Sequence, residues 1–168
     1  LMQPLTYMNR SGLALLAWAQ ARDLAVGPLS APADDDDEPD QPMEVSRPHP
    51  VVPVVVCDDI QLPLGSLRIR AKGSDGGQNG LASILAAVGS RDVPRLRLGV
   101  GPRAGDLDPS AWADFVLAPF EEQEHEAARD LVERGAEALL DLLENGPEAA
   151  GSRHNRRVRP ENDLPAGD

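Results

Sequence analysis

The sequence predicts an α/β layer fold, in which short buried strands alternate with helices. Apolar runs that are β-branched or strictly alternating indicate strands at residues 54–57, 67–70 and 96–100. Apolar residues at helical spacing indicate helices that start near residues 11, 81 and 121. The 168 residues suit one domain, and a hydrophobic content of 41% is enough for a core. Because aromatic residues make up only 3%, that core must consist of Leu, Val, Ile and Ala.

The first helix is expected to use Ser11 as its N-cap and to end by Pro28. Its expected inward residues are Leu13, Leu16, Ala17 and Leu24. The β-branched run at 54–57 follows Pro53 and predicts a buried strand.

Two later strands are predicted by alternation. In residues 67–70, Leu67 and Ile69 are expected to face the core, while Arg68 and Arg70 face outward. The strand at 96–100 carries its leucines and valine on one face, with Arg95 and Arg97 on the other. Between these strands, a glycine-rich loop at 73–80 leads into the helix at 81–88, which Gly89 ends.

The last predicted helix covers residues 121–144, after a short apolar segment at 115–117. Its expected inward residues are Ala128, Leu131, Val132, Leu139, Leu142 and Leu143. The sequence Asn145-Gly146-Pro147 is expected to terminate this helix, and the polar residues 151–168 are expected to form a flexible tail.

Charge is unevenly distributed along the chain. The net charge of −12 argues at first against a nucleic-acid ligand. Much of the acidity, however, falls in the proline-rich residues 28–50, which have no apolar period and are expected to be a disordered insert. Residues 66–103 hold seven basic and two acidic residues, a local charge of +5. This segment predicts a basic patch, unless its side chains are merely scattered in solvent.

Several classes of protein are excluded by composition. The single cysteine, Cys57, excludes a disulfide framework and a zinc ribbon, and it is expected to be buried rather than nucleophilic. With no membrane-length apolar run and no leader, the expected location is cytoplasmic, with no membrane partner. The three histidines, His49, His125 and His154, are expected to be solvated. The start at Leu1 is interpreted as that of a fragment.

Three segments carry polar residues that suit a site. Asn9 precedes a helix, where it could orient a base or substrate or simply belong to a turn. Asp58 and Asp59 follow a strand, where a carboxylate could hold an imidazole or only cap the strand. The loop at 73–80 could present backbone N–H groups to an anion, with Asn79 beside them. It lacks the residues of a Walker loop, and neither a metal site nor a cofactor is expected.

Four ordered blocks then give a resemblance. They are QPLTYMNRSG at 3–12, DDIQLPLG at 58–65, GSDGGQNGL at 73–81 and RLRLGVG at 95–101. In order and spacing they resemble the bacterial-type peptidyl-tRNA hydrolases over residues 1–146 or so. The resemblance implies a three-layer α/β domain at 1–150 with a mixed, mostly parallel sheet, whose first strands would precede Leu1. It also implies a monomer.

The family cleaves the ester between peptide and tRNA, with a histidine as general base in a segment that nothing here matches. The resemblance implies that Asp58 supports this histidine and that Asn9 helps to orient it. Asn9 and Asn79 would also hold the 3′ end of the tRNA, with Tyr7 and Met8 lining the site.

Arg68 and Arg70 stand where the family carries basic residues that face the tRNA, and Arg97 is expected to extend this patch. The resemblance thus implies contacts with tRNA phosphates, which give binding independent of sequence. Two positions depart from the family pattern: Gln78 stands where histidine is usual, and Gln61 where an acid is common. Gln78 can still hydrogen-bond a peptide or ribose, but it cannot titrate.

Two alternatives to the hydrolase remain open. One is an RNA-binding module of the same fold that lacks hydrolysis, as in organellar splicing factors. The other is a generic α/β domain that binds a protein partner, although this would leave the four ordered blocks unexplained.

Overall fold

The computed structural model describes residues 2–28, 51–102 and 107–155. The helices are α1 (Ser11–Gln20), α2 (Asn79–Val88), α3 (Trp112–Leu117) and α4 (His125–His154), and the strands are β1 (Val55–Pro63), β2 (Leu67–Arg70) and β3 (Arg95–Gly101). Short 3-10 helices cover Met8–Arg10, Pro109–Ala111 and Glu122–Glu124. The predicted α/β class is confirmed.

The chain divides into two compact units. The first unit comprises Leu1–Val55 and Ala71–Pro94, and the second comprises Val56–Arg70 and Arg95–Asp168. The first unit therefore contains α1 and α2, whereas the second contains β2, β3, α3, α4 and nearly all of β1.

In the first unit, α1 packs against α2 through a glycine. The backbone N–H of Gly12 donates to Ser83 Oγ over 3.0 Å, and a Cβ on Gly12 would overlap the Ser83 carbonyl oxygen. Gly12, Leu15 and Ala19 are accordingly the buried stripe of α1. The predicted inward face was wrong, since Leu13 is 63% exposed.

The start of α1 also differs from the prediction. Ser11 is the first helical residue rather than the N-cap, and its Oγ donates to the Met8 carbonyl oxygen over 2.9 Å. Its hydroxyl therefore ties the helix to the preceding Met8–Arg10 turn instead of satisfying a helix N–H.

The predicted acidic insert lies outside the described residues except for Pro28. The residues that flank it meet, because Val26 and Val51 form a parallel bridge and Val51 N–H donates to the Ala25 carbonyl oxygen over 2.7 Å. The described residues on either side of this segment therefore lie next to each other.

The second unit is built on a mixed sheet in the order β1-β3-β2. Strand β2 is antiparallel to β3, with Leu67 opposite Leu98 and Ile69 opposite Leu96. Leu67 and Ile69 are buried, as the alternation predicted. Helix α4 packs on β2 and β3 on this apolar face, where a Cβ on Gly135 would lie 3.0 Å from Leu98 Cδ2.

Helix α4 extends beyond its predicted end. Gly146 has a φ of +80°, which is easy only for glycine, and it kinks the helix before Pro147 starts a further helical stretch to His154. Residues 151–154 are therefore helical, although a flexible tail was predicted from 151, and residues 156–168 lie outside the described part.

The inward face of α4 was predicted in part. Leu131 and Leu142 are buried as expected, but Val132 and Leu143 are exposed. Residues with little or no side chain, Gly135 and Ala138, are buried in their place because the sheet approaches α4 closely.

Candidate functional site

The polar residues singled out by the sequence fall in both units. Tyr7, Met8, Asn9, Gln78 and Asn79 belong to the first unit, and Asp58, Arg68, Arg70 and Arg97 belong to the second. Each group has its own structural support.

In the first unit, the one-turn helix Met8–Arg10 lies on the N-terminus of α2. A Cβ on Gly80 would lie 3.5 Å from the Met8 carbonyl oxygen, which is an ordinary contact distance. Asn9 and Asn79 therefore lie on adjoining segments, and both are exposed. The sequence separated them by 70 residues, so the packing of α1 on α2 is what brings their segments together.

The same turn presents apolar surface to solvent. Tyr7 is 81% exposed and Met8 is 66% exposed, although both are large side chains. An exposed aromatic beside exposed amides can stack on a base or sugar while the amides hydrogen-bond it.

The loop before α2 is shaped by its own backbone. Asp75 Oδ2 accepts the N–H of Gly77 over 2.9 Å, and the Asp75 carbonyl oxygen accepts the N–H of Gln78 over 3.2 Å. Gln78 is the N-cap of α2, but its side chain makes no capping hydrogen bond. The Gln78 amide is therefore not committed to the helix end.

In the second unit, the two neighbouring aspartates of β1 have opposite surroundings. Asp58 is exposed, whereas Asp59 is only 1% exposed. Asp59 Oδ1 accepts the N–H of Gln61 over 3.0 Å, and Oδ2 lies 2.8 Å from Arg97 Nη2. Both aspartates were predicted to follow a strand that ends at residue 57, but they lie within β1. Successive side chains of a strand alternate, so the Asp59 carboxylate is buried and the Asp58 carboxylate is at the surface.

The Asp59–Arg97 contact is an ion pair of imperfect geometry. Among the described residues, neither Asp59 Oδ2 nor Arg97 Nε has an aligned hydrogen bond, despite the 2.8 Å separation of Oδ2 and Nη2. We therefore treat the contact as Coulombic attraction rather than as a bidentate hydrogen-bonded pair.

Cys57 lies just before these aspartates, and its thiol is poorly suited to act as a nucleophile. Burial raises the pKa of its thiol to about 11, with the charges of Asp58 and Asp59 acting in the same direction and Arg97 and Arg95 opposing them. The thiol is therefore protonated near neutral pH. Cys57 was predicted to be buried, but it is only half-buried.

The four arginines of β2 and β3 share one face of the sheet, because Arg68 is opposite Arg97 and Arg70 is opposite Arg95. They are not equally accessible. Arg95 is 2% exposed, and the side chain of Arg97, which was expected to extend the outward patch, is 19% exposed and directed at Asp59. Arg68 is half-buried and Arg70 is exposed. The accessible basic pair is therefore Arg68 and Arg70.

The histidines in the described residues have their own partners. His125 is exposed, with Nε2 3.2 Å from the Phe120 carbonyl oxygen. His154 is partly buried, lies in α4 rather than in a tail, and has Nε2 2.9 Å from Asp141 Oδ2. Residues 2–28, 51–102 and 107–155 contain no group of three metal-ligating side chains, and none of their helices could span a membrane.

These features define an α/β protein with exposed amides and an accessible carboxylate at separate, well-supported positions. The family profile of peptidyl-tRNA hydrolase matches residues 42–162. The chain is 39% identical to a peptidyl-tRNA hydrolase of Chlorobaculum parvum, over 94% of this chain and 70% of that protein. It is 37% identical to a peptidyl-tRNA hydrolase of Chlorobium phaeobacteroides, over 93% and 68% respectively. The chain belongs to the peptidyl-tRNA hydrolase family, which is a family of hydrolases.

The fold agrees with this membership. A crystal structure of peptidyl-tRNA hydrolase from Acinetobacter baumannii superposes with a TM-score of 0.66 at 20% identity. The alignment covers 92% of this chain and 64% of that one, so this chain spans slightly less than two thirds of the solved structure's length.

Proposed function

We propose that this chain takes part in hydrolysis of the ester bond between a peptide and tRNA, which recycles tRNA from stalled translation. One observation carries the proposal: in a member of this family, Asp58 is exposed within β1, while the next residue, Asp59, is buried and paired with Arg97. A carboxylate so placed can hold an imidazole in one tautomer and stabilise its protonated form.

The mechanism that follows is general-base catalysis. A histidine supported by Asp58 accepts a proton from water, and the water oxygen attacks the ester carbonyl carbon. The tetrahedral oxyanion is stabilised by amide donors, and its collapse expels the ribose oxygen of the tRNA, which takes up a proton. Neither His125 nor His154 is assigned this role, because Phe120 and Asp141 are their partners.

Substrate binding is assigned to two surfaces. Asn9, Asn79 and Gln78 would hydrogen-bond the 3′-terminal nucleotide and peptide, with Tyr7 and Met8 packing beside them. Arg68 and Arg70 would contact tRNA phosphates without reading the base sequence. We propose that the enzyme is cytoplasmic and acts as a monomer. Size-exclusion chromatography with light scattering tests the monomeric state.

The catalytic assignment is tested by release of tRNA from N-acetyl-aminoacyl-tRNA. The full product of the gene and the 168-residue chain are assayed side by side, and we expect the activity to reside in the protein that also contains the histidine. Asp58→Asn should lower kcat/KM of that protein by about 10²-fold to 10⁴-fold. Asp114→Asn, which removes an exposed carboxylate of α3, is the matched control. An Asp58→Asn variant with normal activity would contradict the assignment, and binding without hydrolysis by the full product would favour the RNA-binding module.

A further inference from the structure

The chain returns to the sheet after the kink in α4, and it does so through one asparagine. Asn155 Oδ1 accepts the backbone N–H of Ile69 over 2.6 Å, and Asn155 Nδ2 donates to the Ile69 carbonyl oxygen over 3.1 Å. One side-chain amide thus satisfies both backbone groups of a single residue in β2, as a neighbouring strand would.

The position of Ile69 gives this contact its meaning. Strand β2 has four residues and is the end member of the order β1-β3-β2, so within residues 2–28, 51–102 and 107–155 its one strand neighbour is β3. Ile69 lies directly between Arg68 and Arg70, the accessible basic pair. Because successive side chains of a strand alternate, holding the backbone of Ile69 fixes the direction in which both arginines leave the sheet.

We propose that Asn155 is a positioning residue for tRNA binding: it fixes the edge of β2 so that Arg68 and Arg70 match the spacing of the phosphate backbone. The inference rests on the proposed function, since it assigns Asn155 to the surface that would contact tRNA. Asn155 itself touches no substrate and acts only through β2.

Asn155 is held in place by its own helical stretch. Its N–H donates to the Gly151 carbonyl oxygen over 3.1 Å, and a Cβ on the buried Gly151 would lie 3.1 Å from Asn155 Nδ2. Gly151 therefore lets the stretch after the kink lie close to β2, with the Ile69 carbonyl oxygen 3.8 Å from the same Cβ position.

A cluster around Asp141 holds this stretch against the helix before the kink. Asp141 accepts hydrogen bonds from Asn145 and Arg153, and its Oδ2 lies 2.9 Å from His154 Nε2. The last residues of α4 are therefore tied to its main part immediately before Asn155.

The consequence for binding differs from that of losing a charge. Without the amide of Asn155, both arginines are still present, but an edge strand held from one side samples more conformations. Each phosphate contact must then order the strand as well as the side chain, which costs conformational entropy. Affinity should fall although the net charge of the protein is unchanged.

The experiment measures binding of a fluorescently labelled, deacylated tRNA to the full product of the gene by anisotropy, below the unfolding temperature of every variant. Asn155→Ala should weaken binding about threefold to tenfold. Asn155→Gln, which keeps the amide one methylene further out, should lose less. Ser152→Ala is the matched control, because Ser152 is exposed on the same stretch and its Oγ donates to the Glu148 carbonyl oxygen rather than to β2.

A double-mutant cycle separates positioning from general stability. In a background carrying Arg68→Ala and Arg70→Ala, adding Asn155→Ala should weaken tRNA binding no further, because there is no arginine left to position. The exchange rate of the Ile69 amide proton should rise in Asn155→Ala alone, which reports the loss of the bond directly.

Three outcomes decide the matter. Unchanged affinity in Asn155→Ala, with the arginine variants weakened, overturns the positioning role and leaves the proposed function standing. An equal loss from Asn155→Ala with and without the arginines also overturns the role, because the effect is then independent of them. If removing both arginines leaves tRNA affinity unchanged, the proposed tRNA surface fails, and this inference fails with it.

Discussion

The strand that carries Asp58 and Asp59 and the turn that carries Asn9 support their polar groups in different ways. In the strand, Asp59 is buried and ion-paired with Arg97, and the neighbouring Asp58 is exposed. In the turn, Asn9 and Tyr7 are both exposed, and the turn is held by packing of the Met8 backbone on Gly80.

The difference shows how folding and function are divided in the two regions. In the strand, the buried Asp59 contributes to stability through Arg97, while Asp58 lies at the surface. In the turn, backbone and glycine contacts provide the stability, and the exposed side chains of Tyr7 and Asn9 can contact a ligand. Substitutions should therefore affect unfolding strongly at Asp59 and weakly at Asn79, although both residues are polar.

Asp59→Ala should give the largest loss of stability. Removing one partner of a buried ion pair leaves the other charge without compensation, which costs about 3 kcal/mol at the lower end of the usual range. We take the lower end because Arg97 keeps 19% exposure and the pair is not hydrogen-bonded in an aligned geometry. Urea unfolding of the two proteins measures the loss.

Asp58→Ala is the control for that experiment, because it removes the same group one residue earlier. An exposed carboxylate should contribute about 0.5 kcal/mol or less to the free energy of unfolding. Equal losses in the two variants would contradict the contrast between the buried and the exposed carboxylate.

Gly12→Ala should be the next largest change, and it tests the packing below the exposed turn. The added Cβ would overlap the Ser83 carbonyl oxygen, and backbone cannot move aside as a side chain can, so the free energy of unfolding should fall by about 2 kcal/mol. Gly80→Ala is the matched control, since the nearest atom to its Cβ is 3.5 Å away. Thermal unfolding of both variants distinguishes them, and equal midpoints would show that α1 and α2 are not closely packed.

Strand β2 and helix α1 show where the sequence predicted the fold and where it could not. The bounds of β2 agree with the predicted 67–70, because alternation is a local signal that survives in any tertiary context. The inward face of α1 was missed because glycine carries no hydrophobic signal, yet close approach to Ser83 selects it. A helix pattern made of leucines alone points to the wrong side.

The candidate site was predictable to a similar degree. Exposure of Asn9, Asp58 and Asn79 agrees with roles that need access, although Asp58 lies within β1 rather than after a strand as predicted. The partner of Arg97 was not predictable, because Asp59 lies 38 positions away and meets it only when β1 pairs with β3. The role of Asn155 was hidden by the same problem, since its contact with Ile69 spans 86 positions.

A smaller effect on stability is expected from Asp141→Asn. Like Asp59, Asp141 is paired with an arginine, but its carboxylate lies nearer to solvent. Its hydrogen bond from Arg153, helped by those from Asn145 and His154, holds the pKa of this carboxyl well below its ordinary value of 3.8. A group whose pKa is lowered by folding contributes stability above its unfolded pKa and loses it as the pH falls. The wild type should therefore lose stability as the pH drops below about 4, more steeply than Asp141→Asn. Unfolding midpoints measured from neutral pH down to pH 2 compare the slopes, and parallel curves would show that the Asp141 cluster does not form in solution.

The smallest change in stability is expected for Asn79→Ala, because Asn79 is exposed whereas Asp59 is buried. Asn79 is the first residue of α2, it is exposed, and alanine favours a helix at least as well. The free energy of unfolding should therefore change by about 0.5 kcal/mol or less, as at an ordinary surface position. Hydrolysis of N-acetyl-aminoacyl-tRNA by the full product of the gene should nevertheless fall, with KM rising more than kcat changes, because the amide is assigned to holding the 3′ end. A variant that loses stability and activity together would place Asn79 among the structural residues, and the division between the two regions would then not hold.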